Sequence, residues 1–193
     1  MTMKQLDLIP KNDLSRIKAR SFGGVSLKKR RKIERPLREG LIHHVVFKSS
    51  NAQGKLSFYT HKDLVAALLK ERSRRFFVEI LAWVNMGNHL HLKVRFKDKK
   101  RFQNFLKTFA GLLARKITQS HRGTRFGKFW DGLVYTRILT SKLEILGLKG
   151  YFEGNHRERE LGPQARRDFL FRWNQWIYRL KKTREQLGKE KPS

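Results

Sequence analysis

Two histidines in one short segment are the residues whose type and spacing most directly suggest chemistry. From His89 to Phe96, polar and apolar residues alternate strictly. In a strand, this alternation places His89 and His91 together on one face and the apolar side chains on the other. Two imidazoles in that arrangement can chelate one divalent cation. A bare His-x-His pair can equally be two surface histidines near a turn.

The net charge of the chain indicates what such a cation would act on. The sequence has 45 Lys and Arg against 16 Asp and Glu, a formal net charge of +29. This excess favours nucleic acid as the partner over a membrane surface, because the basic residues recur along the whole chain. The negative charge of a phosphodiester would compensate the charge of the cation, and the cation would polarise the phosphate. Imidazole and oxygen ligands suit Mg²⁺ or Mn²⁺.

A tyrosine and an asparagine form the second candidate group. Tyr151 and Asn155 lie four residues apart in a predicted helix and therefore share a face. The phenol could be a nucleophile and the amide oxygen a third metal ligand, although a helical tyrosine can equally be a packing residue. His156 is an alternative ligand. The chain has no cysteine, which excludes thiol catalysis, disulfides and iron–sulfur clusters.

Apolar periodicity and turn residues predict the elements that would position these groups. The predicted strands are 41–47, 76–84, 89–96, 126–130 and 133–139, and the predicted helices are 64–70, 99–119, 141–155 and 165–187. Asp63 is expected to cap the first helix, Asp131-Gly132 to form a hairpin turn, and Ser141 with Glu144 to form a capping box. The order predicts an α+β, ferredoxin-like fold with one antiparallel sheet and helices on one face.

Composition divides the chain into three parts. Residues 1–40 form a basic N-terminal arm, 41–157 a globular domain, and 158–193 a basic C-terminal helical extension. The chain has neither an apolar run long enough to span a membrane nor the apolar stretch of a secretory signal. We therefore expect a cytoplasmic protein with no membrane partner.

The two candidate groups carry a family resemblance. The segment from Met86 to Leu92 resembles the HUH strand of single-tyrosine transposases of the insertion-sequence type, and Tyr151 to Asn155 resembles their tyrosine helix. With the segment from Phe129 to Gly132 between them, the chain is most similar to the REP-associated tyrosine transposases, which act on palindromic repeat hairpins. The resemblance covers residues 41–157. Family members often have Asn-Pro after the tyrosine helix, whereas here His156 follows Asn155.

The resemblance implies an HUH endonuclease fold and a DNA transposition and recombination enzyme. It implies that His89, His91 and Asn155 bind Mg²⁺ or Mn²⁺ and that Tyr151 attacks a phosphate of single-stranded DNA. A 5′-phosphotyrosine intermediate and a free 3′-OH would follow. A second 3′-OH could then rejoin the strands without a nucleotide cofactor.

Basic and aromatic residues outside these groups are expected to contact the DNA. They lie on the third strand, on the long helix, around the Asp131-Gly132 turn and in the N-terminal arm. The set is Lys93, Arg95, Arg101, Lys107, Arg115, Lys128, Trp130, Arg137, Lys28, Lys29, Arg30 and Arg31.

Two other functions are compatible with the sequence. One is a non-catalytic protein that keeps the fold and binds DNA or RNA hairpins. The other is an RNA-associated basic protein, which would prefer A-form duplex or RNA loops. The hydrophobic pattern leaves open whether the protein is a monomer or a homodimer.

Overall fold

The computed structural model describes residues 20–24, 34–121 and 126–189. The described residues form two compact units, the sheet unit up to Thr140 and the helical unit from Ser141 onward. No described helix combines the length and apolar character needed to cross a membrane.

The sheet unit contains five strands and two long helices. The strands are β1 (Ser21–Phe22), β2 (Ile42–Lys48), β3 (Val78–Asn85), β4 (His89–Phe96) and β5 (Tyr135–Leu139), and the helices are α1 (Lys62–Phe76) and α2 (Lys99–Thr118). A short 3-10 turn spans Gly54–Leu56. All pairings are antiparallel, in the order β1-β5-β2-β4-β3. The predicted α+β fold with an antiparallel sheet is confirmed.

The core lies between one face of this sheet and the two helices. Leu90, Leu92 and Val94 are fully buried on that face, and α2 contributes a row of buried phenylalanines with helical spacing, Phe102, Phe105 and Phe109. The apolar face of the strands and the apolar face of the helices therefore pack together in one layer. Every second residue of β4, beginning with His89, belongs to the opposite face.

The first helix is longer than predicted. It runs from Lys62 to Phe76, its N-cap is His61 without a side-chain cap bond, and Asp63 lies in its first turn instead of capping it. The charged residues after residue 70 continue the helix. Phe77 ends it in a left-handed conformation, so the next strand begins at Val78, two residues after its predicted start.

The predicted hairpin at Asp131-Gly132 is wrong. Residues 126–130 form no strand, and β5 pairs with β2 and β1. The Asp131 carboxylate instead accepts hydrogen bonds from the Ser50 backbone N–H at 2.7 Å and the Ser50 hydroxyl at 2.9 Å. Phe129 is buried in the core. These long-range contacts anchor the segment to the end of β2 and replace the local turn.

Several residues of the predicted basic arm belong to the sheet unit, among them Ser21 and Phe22 of β1 and Arg35. The Arg35 guanidinium donates to the Val134 carbonyl at 2.7 Å and to the Thr136 hydroxyl at 2.9 Å, and lies 4.4 Å from the centre of the Phe22 ring. Burial lowers its pKa to about 10. Arg35 thus holds the chain before β2 against β5. Lys28, Lys29, Arg30 and Arg31 lie outside the described residues.

A buried histidine makes the stability of the sheet unit sensitive to acid. His43 is fully buried, its Nδ1 donates to the Leu41 carbonyl at 3.0 Å, and its Nε2 accepts from the Arg38 backbone N–H at 3.3 Å. Burial lowers its pKa from 6.5 to about 4. The unfolded chain therefore binds more protons between these values, and stability falls as pH falls.

We expect the free energy of unfolding to decrease by up to about 3 kcal/mol between pH 6.5 and 4 because of His43. Urea unfolding of the wild type and of His43→Gln, measured across this range, tests the expectation. The variant should be less stable at neutral pH but should lose less stability on acidification. If the free energy of unfolding changed equally with pH in the two proteins, the assignment of this effect to His43 would be contradicted.

The helical unit consists of α3 (Lys142–Leu161) and α4 (Pro163–Lys189). The Ser141 hydroxyl accepts the Glu144 backbone N–H, which confirms the predicted N-cap. The helix extends beyond its predicted end at residue 155. The domain boundary predicted after residue 157 stays a prediction and falls inside this helix.

Candidate active site

Strand β4 positions the predicted histidine pair as its alternation requires. His89 is partly buried and His91 is 5% exposed, on the face opposite Leu90 and Leu92. The ring centres of the two histidines are 4.7 Å apart. We call this side of the sheet the histidine face.

Hydrogen bonds fix the orientation of both imidazoles. His89 Nδ1 lies 2.6 Å from Asn88 Oδ1, and because an amide oxygen only accepts, Nδ1 carries the proton. His91 Nδ1 lies 3.0 Å from His44 Nε2. When His91 donates in this pair, both histidines are in the tautomer that a metal ligand needs, with the lone pair on Nε2.

His44 is the functional residue that sequence reasoning missed. It lies on β2, opposite Lys93 of β4 and Arg137 of β5, and its ring stacks on His91 with centres 5.3 Å apart. Burial, reinforced by the nearby Arg137 guanidinium, lowers the pKa of His44 to about 4. A neutral His44 can accept the His91 proton at physiological pH. The adjacent His43 and His44 on a predicted strand were the available signal, since one of two neighbours must face away from the core.

Two of the predicted DNA contacts flank these histidines. The register of the sheet puts Lys93, His44 and Arg137 in one row across β4, β2 and β5. Arg95 lies further along β4, where its guanidinium pairs with the Glu79 carboxylate at 2.8 and 3.1 Å. The histidine face therefore carries Lys93 and Arg137 beside the imidazoles, and Arg95 is held in an ion pair with Glu79.

The basic residues of α2 lie on a different surface. Lys107 and Arg115 are exposed on the helix that packs against the core face of the sheet, so they point away from the histidine face. Arg101, in the first turn of the same helix, lies 4.7 Å above the Phe77 ring. The sequence predicted all of these as DNA contacts, but the fold separates them into two groups.

This separation allows a charge-matched binding test. Lys93→Gln with Arg137→Gln should weaken single-stranded DNA binding about tenfold or more and reduce the salt slope by about 1.4, since each lost phosphate contact contributes about 0.7. Lys107→Gln with Arg115→Gln changes the net charge equally and should have a smaller effect. Fluorescence anisotropy over a salt series measures both. An equal loss in the two double variants would contradict a binding role specific to the histidine face.

A cleft of about 770 Å³ adjoins the histidine face. Its lining includes Lys48, Lys128, Trp130 and Tyr135. Lys128 is exposed, whereas the Trp130 indole packs against the core and donates to the Ala110 carbonyl at 3.1 Å. Tyr135 lies edge-on to His44, with ring centres 6.1 Å apart. Tyr135 therefore lies beside an imidazole of the histidine face.

In the helical unit, Tyr151 and Asn155 share one face of α3, as predicted. Tyr151 is partly buried, with the Arg166 guanidinium 5.5 Å from the centre of its ring. Asn155 is 1% exposed, and neither its amide nitrogen nor its amide oxygen has a hydrogen-bond partner among the described residues. His156 lies on the exposed side, 3.0 Å from the Glu160 carboxylate. A buried amide without a partner is costly, and a ligand would satisfy Asn155.

Comparison with known families identifies the family to which the chain belongs. The family model described as "Transposase IS200 like" matches residues 38–154, more than half of the chain. This chain belongs to the IS200-like transposase family. The matched segment contains His89, His91 and Tyr151 and ends one residue before Asn155.

Other comparisons add little to this assignment. A crystal structure of a candidate transposase from Deinococcus radiodurans R1 is 16% identical to this IS200-like transposase. The match covers 65% of this chain and 98% of that chain, with a TM-score of 0.39, a likeness that carries no argument. No match was found among curated proteins.

The ligand types in this transposase can be compared with what a divalent cation requires. Among the described residues, no three His, Cys, Asp or Glu side chains are grouped to hold a metal ion. The His89 and His91 pair supplies two donors of this kind. The amide oxygen of Asn155, a side chain without a hydrogen-bond partner among the described residues, has the chemistry of an oxygen donor, which suits Mg²⁺ or Mn²⁺.

Proposed function

We propose that this transposase cleaves and rejoins single-stranded DNA at hairpin-forming palindromic repeats, as a REP-associated tyrosine transposase. The observation that carries the proposal is the imidazole pair of His89 and His91, held in one orientation on a sheet face with Lys93 and Arg137 beside it. We place this activity in the cytoplasm, where both DNA and divalent cations are available.

The cationic row supports binding of the phosphodiester. Lys93 and Arg137 would attract the DNA backbone, with affinity that decreases with salt. His44, kept neutral by burial and by Arg137, would hold His91 in its orientation without adding another charge. Lys48 and Lys128, which line the adjoining cleft, extend the same cationic surface. An unpaired strand can place its phosphate against such a surface more closely than a stiff duplex.

We propose His89, His91 and Asn155 as the ligands of a Mg²⁺ or Mn²⁺ ion. The tautomers of the histidines and the unpartnered amide of Asn155 support this set. When bound, such a cation polarises a phosphate and stabilises the charge that develops in phosphoryl transfer.

Tyr151 would supply the nucleophile. Its phenolic oxygen forms a bond to phosphorus, its proton passes to solvent, and the bond from phosphorus to the 3′-oxygen breaks. That oxygen takes up a proton and leaves as a 3′-OH, while the 5′-phosphate stays on the tyrosine. Attack by another 3′-OH reverses these changes and joins two strands. Each step exchanges one phosphoester bond for another, so no nucleotide cofactor is needed.

A denaturing gel with end-labelled DNA tests this proposal. Wild-type protein is incubated with hairpin DNA that carries a 5′ or a 3′ label, with Mn²⁺ or with chelator. We expect a metal-dependent band of protein size with the 3′-labelled strand only, because the 5′-phosphate of the downstream fragment is the attached group. Tight binding without an adduct over a varied hairpin pool would overturn the proposal in favour of a non-catalytic hairpin-binding protein.

A further inference from the structure

Phe77 is an aromatic residue in an unusual position. It ends α1 with a φ of 54°, and its side chain is 71% exposed. Helices often place glycine at such a left-handed end, because a side chain is strained there. Among the described residues, the other non-glycine residue with positive φ is Gln119, which is polar. A bulky apolar side chain here has a steric cost and gains little from burial, so folding alone does not account for it.

The surroundings of Phe77 are cationic. The Arg101 guanidinium lies 4.7 Å from the centre of its ring. Arg74 and Lys97 line the same cleft of about 890 Å³. Glu79, which also lines this cleft, is paired with Arg95. We call Arg74, Phe77, Lys97 and Arg101 the Phe77 platform.

Exposed aromatic rings among cations suit an unpaired nucleic-acid base, which stacks on the ring while its phosphates meet the cations. We propose that the Phe77 platform binds an unpaired base of single-stranded DNA, away from the histidine pair. This inference rests on the proposed function for the identity of the nucleic acid. One face of the ring meets Arg101, and the exposed remainder offers a surface for stacking.

The sheet sets the distance between the two sites. Phe77 precedes Val78, which pairs with Phe96 at the end of β4, whereas His89 is at the start of that strand. A strand of eight residues spans about 25 Å. That span corresponds to about seven nucleotides at the rise of a stacked strand. Because Arg101 belongs to the helix layer and not to the histidine face, the platform would hold the same DNA strand at least about seven nucleotides from the phosphate bound at the histidine face.

Phe77→Gly removes the ring on which a base would stack without destabilising the fold. Glycine relieves the strained φ, so the variant should keep or raise the Tm. We expect it to bind a single strand of about 15 nucleotides about tenfold more weakly, measured by fluorescence anisotropy. Duplex DNA of the same sequence should bind as it does to the wild type. Phe77→Trp should bind the single strand at least as tightly as the wild type.

Phe171→Ala is the matched control, because this phenylalanine of α4 is similarly exposed, at 66%. It should leave single-strand affinity unchanged. Wild-type affinity in Phe77→Gly, an equal loss for duplex, or a loss confined to RNA of the same sequence would overturn the inference. Formation of the covalent adduct is scored separately on the wild type, so failure of the proposed cleavage and failure of the platform give different results.

Discussion

Tyr151→Phe is expected to reduce the yield of covalent protein–DNA adduct by at least about 1,000-fold, because it removes the oxygen proposed as the nucleophile and keeps the aromatic ring. The phenyl ring keeps its packing on α3 and its position near the Arg166 guanidinium. DNA affinity and Tm should therefore remain close to those of the wild type. The denaturing gel with 3′-labelled hairpin DNA measures the adduct, and anisotropy measures the affinity.

Two other tyrosines provide matched controls for this experiment. Tyr178 is 58% exposed on α4, and Tyr178→Phe should not change the adduct yield. Tyr135→Phe is the stricter control, because Tyr135 lies beside His44 on the histidine face. Wild-type adduct in Tyr151→Phe together with its loss in Tyr135→Phe would move the nucleophile to the sheet unit. That result would refute the role of α3 and leave the role of the histidines intact.

The local pattern was sufficient to predict the elements that carry the candidate site. In β4, eight residues alternate without exception, so the facing of His89 and His91 follows from strand geometry alone. The Ser141 and Glu144 pair marks the start of α3, and helical spacing then places Tyr151 and Asn155 on one face. These inferences need no knowledge of which segments pair in the sheet.

Features that depend on distant contacts were not predictable in this way. The importance of His44 follows from strand register, which places it beside His91 across 47 positions of sequence. Asp131-Gly132 has the local signature of a hairpin, yet Asp131 bonds to Ser50, 81 positions away. Arg35 looks like part of a charged arm until its contacts with Val134 and Thr136 are known. In each case, a tertiary hydrogen bond determines the role of the residue.

Charge was the least informative guide to location. With 45 basic residues, almost any surface of this chain is a plausible DNA contact by composition. The fold separates Lys93 and Arg137 on the histidine face from Lys107 and Arg115 on the helix layer. Periodicity within one element cannot show this separation, because it depends on which side of the sheet each element packs.

Gly150→Ala is expected to disrupt the helical unit although alanine is the better helix former. A β-carbon at residue 150 would lie 2.1 Å from Trp173 Nε1 and 2.4 Å from Trp173 Cδ1, so the indole or the helices must move. We expect a loss of about 2–3 kcal/mol in the free energy of unfolding. Because Gly150 precedes Tyr151, the adduct yield should decrease as well.

Gly147→Ala is the matched control on the same helix. A β-carbon there would meet nothing within 4 Å, so alanine should stabilise the protein by up to about 1 kcal/mol. Thermal and denaturant unfolding of the two variants, followed by circular dichroism, should therefore give opposite signs. Stabilisation by both substitutions would show that the contact between Gly150 and Trp173 does not hold these helices together.

A double-mutant cycle assigns the effect to one contact. Trp173→Ala alone removes a large side chain between α3 and α4 and should be destabilising. In the Trp173→Ala background, Gly150→Ala meets no indole and should be neutral or stabilising, so the two substitutions should couple by more than about 1 kcal/mol. Additive losses would instead indicate that residue 150 needs glycine for backbone flexibility. Coupling would establish that this glycine permits the close packing of the tyrosine helix against α4.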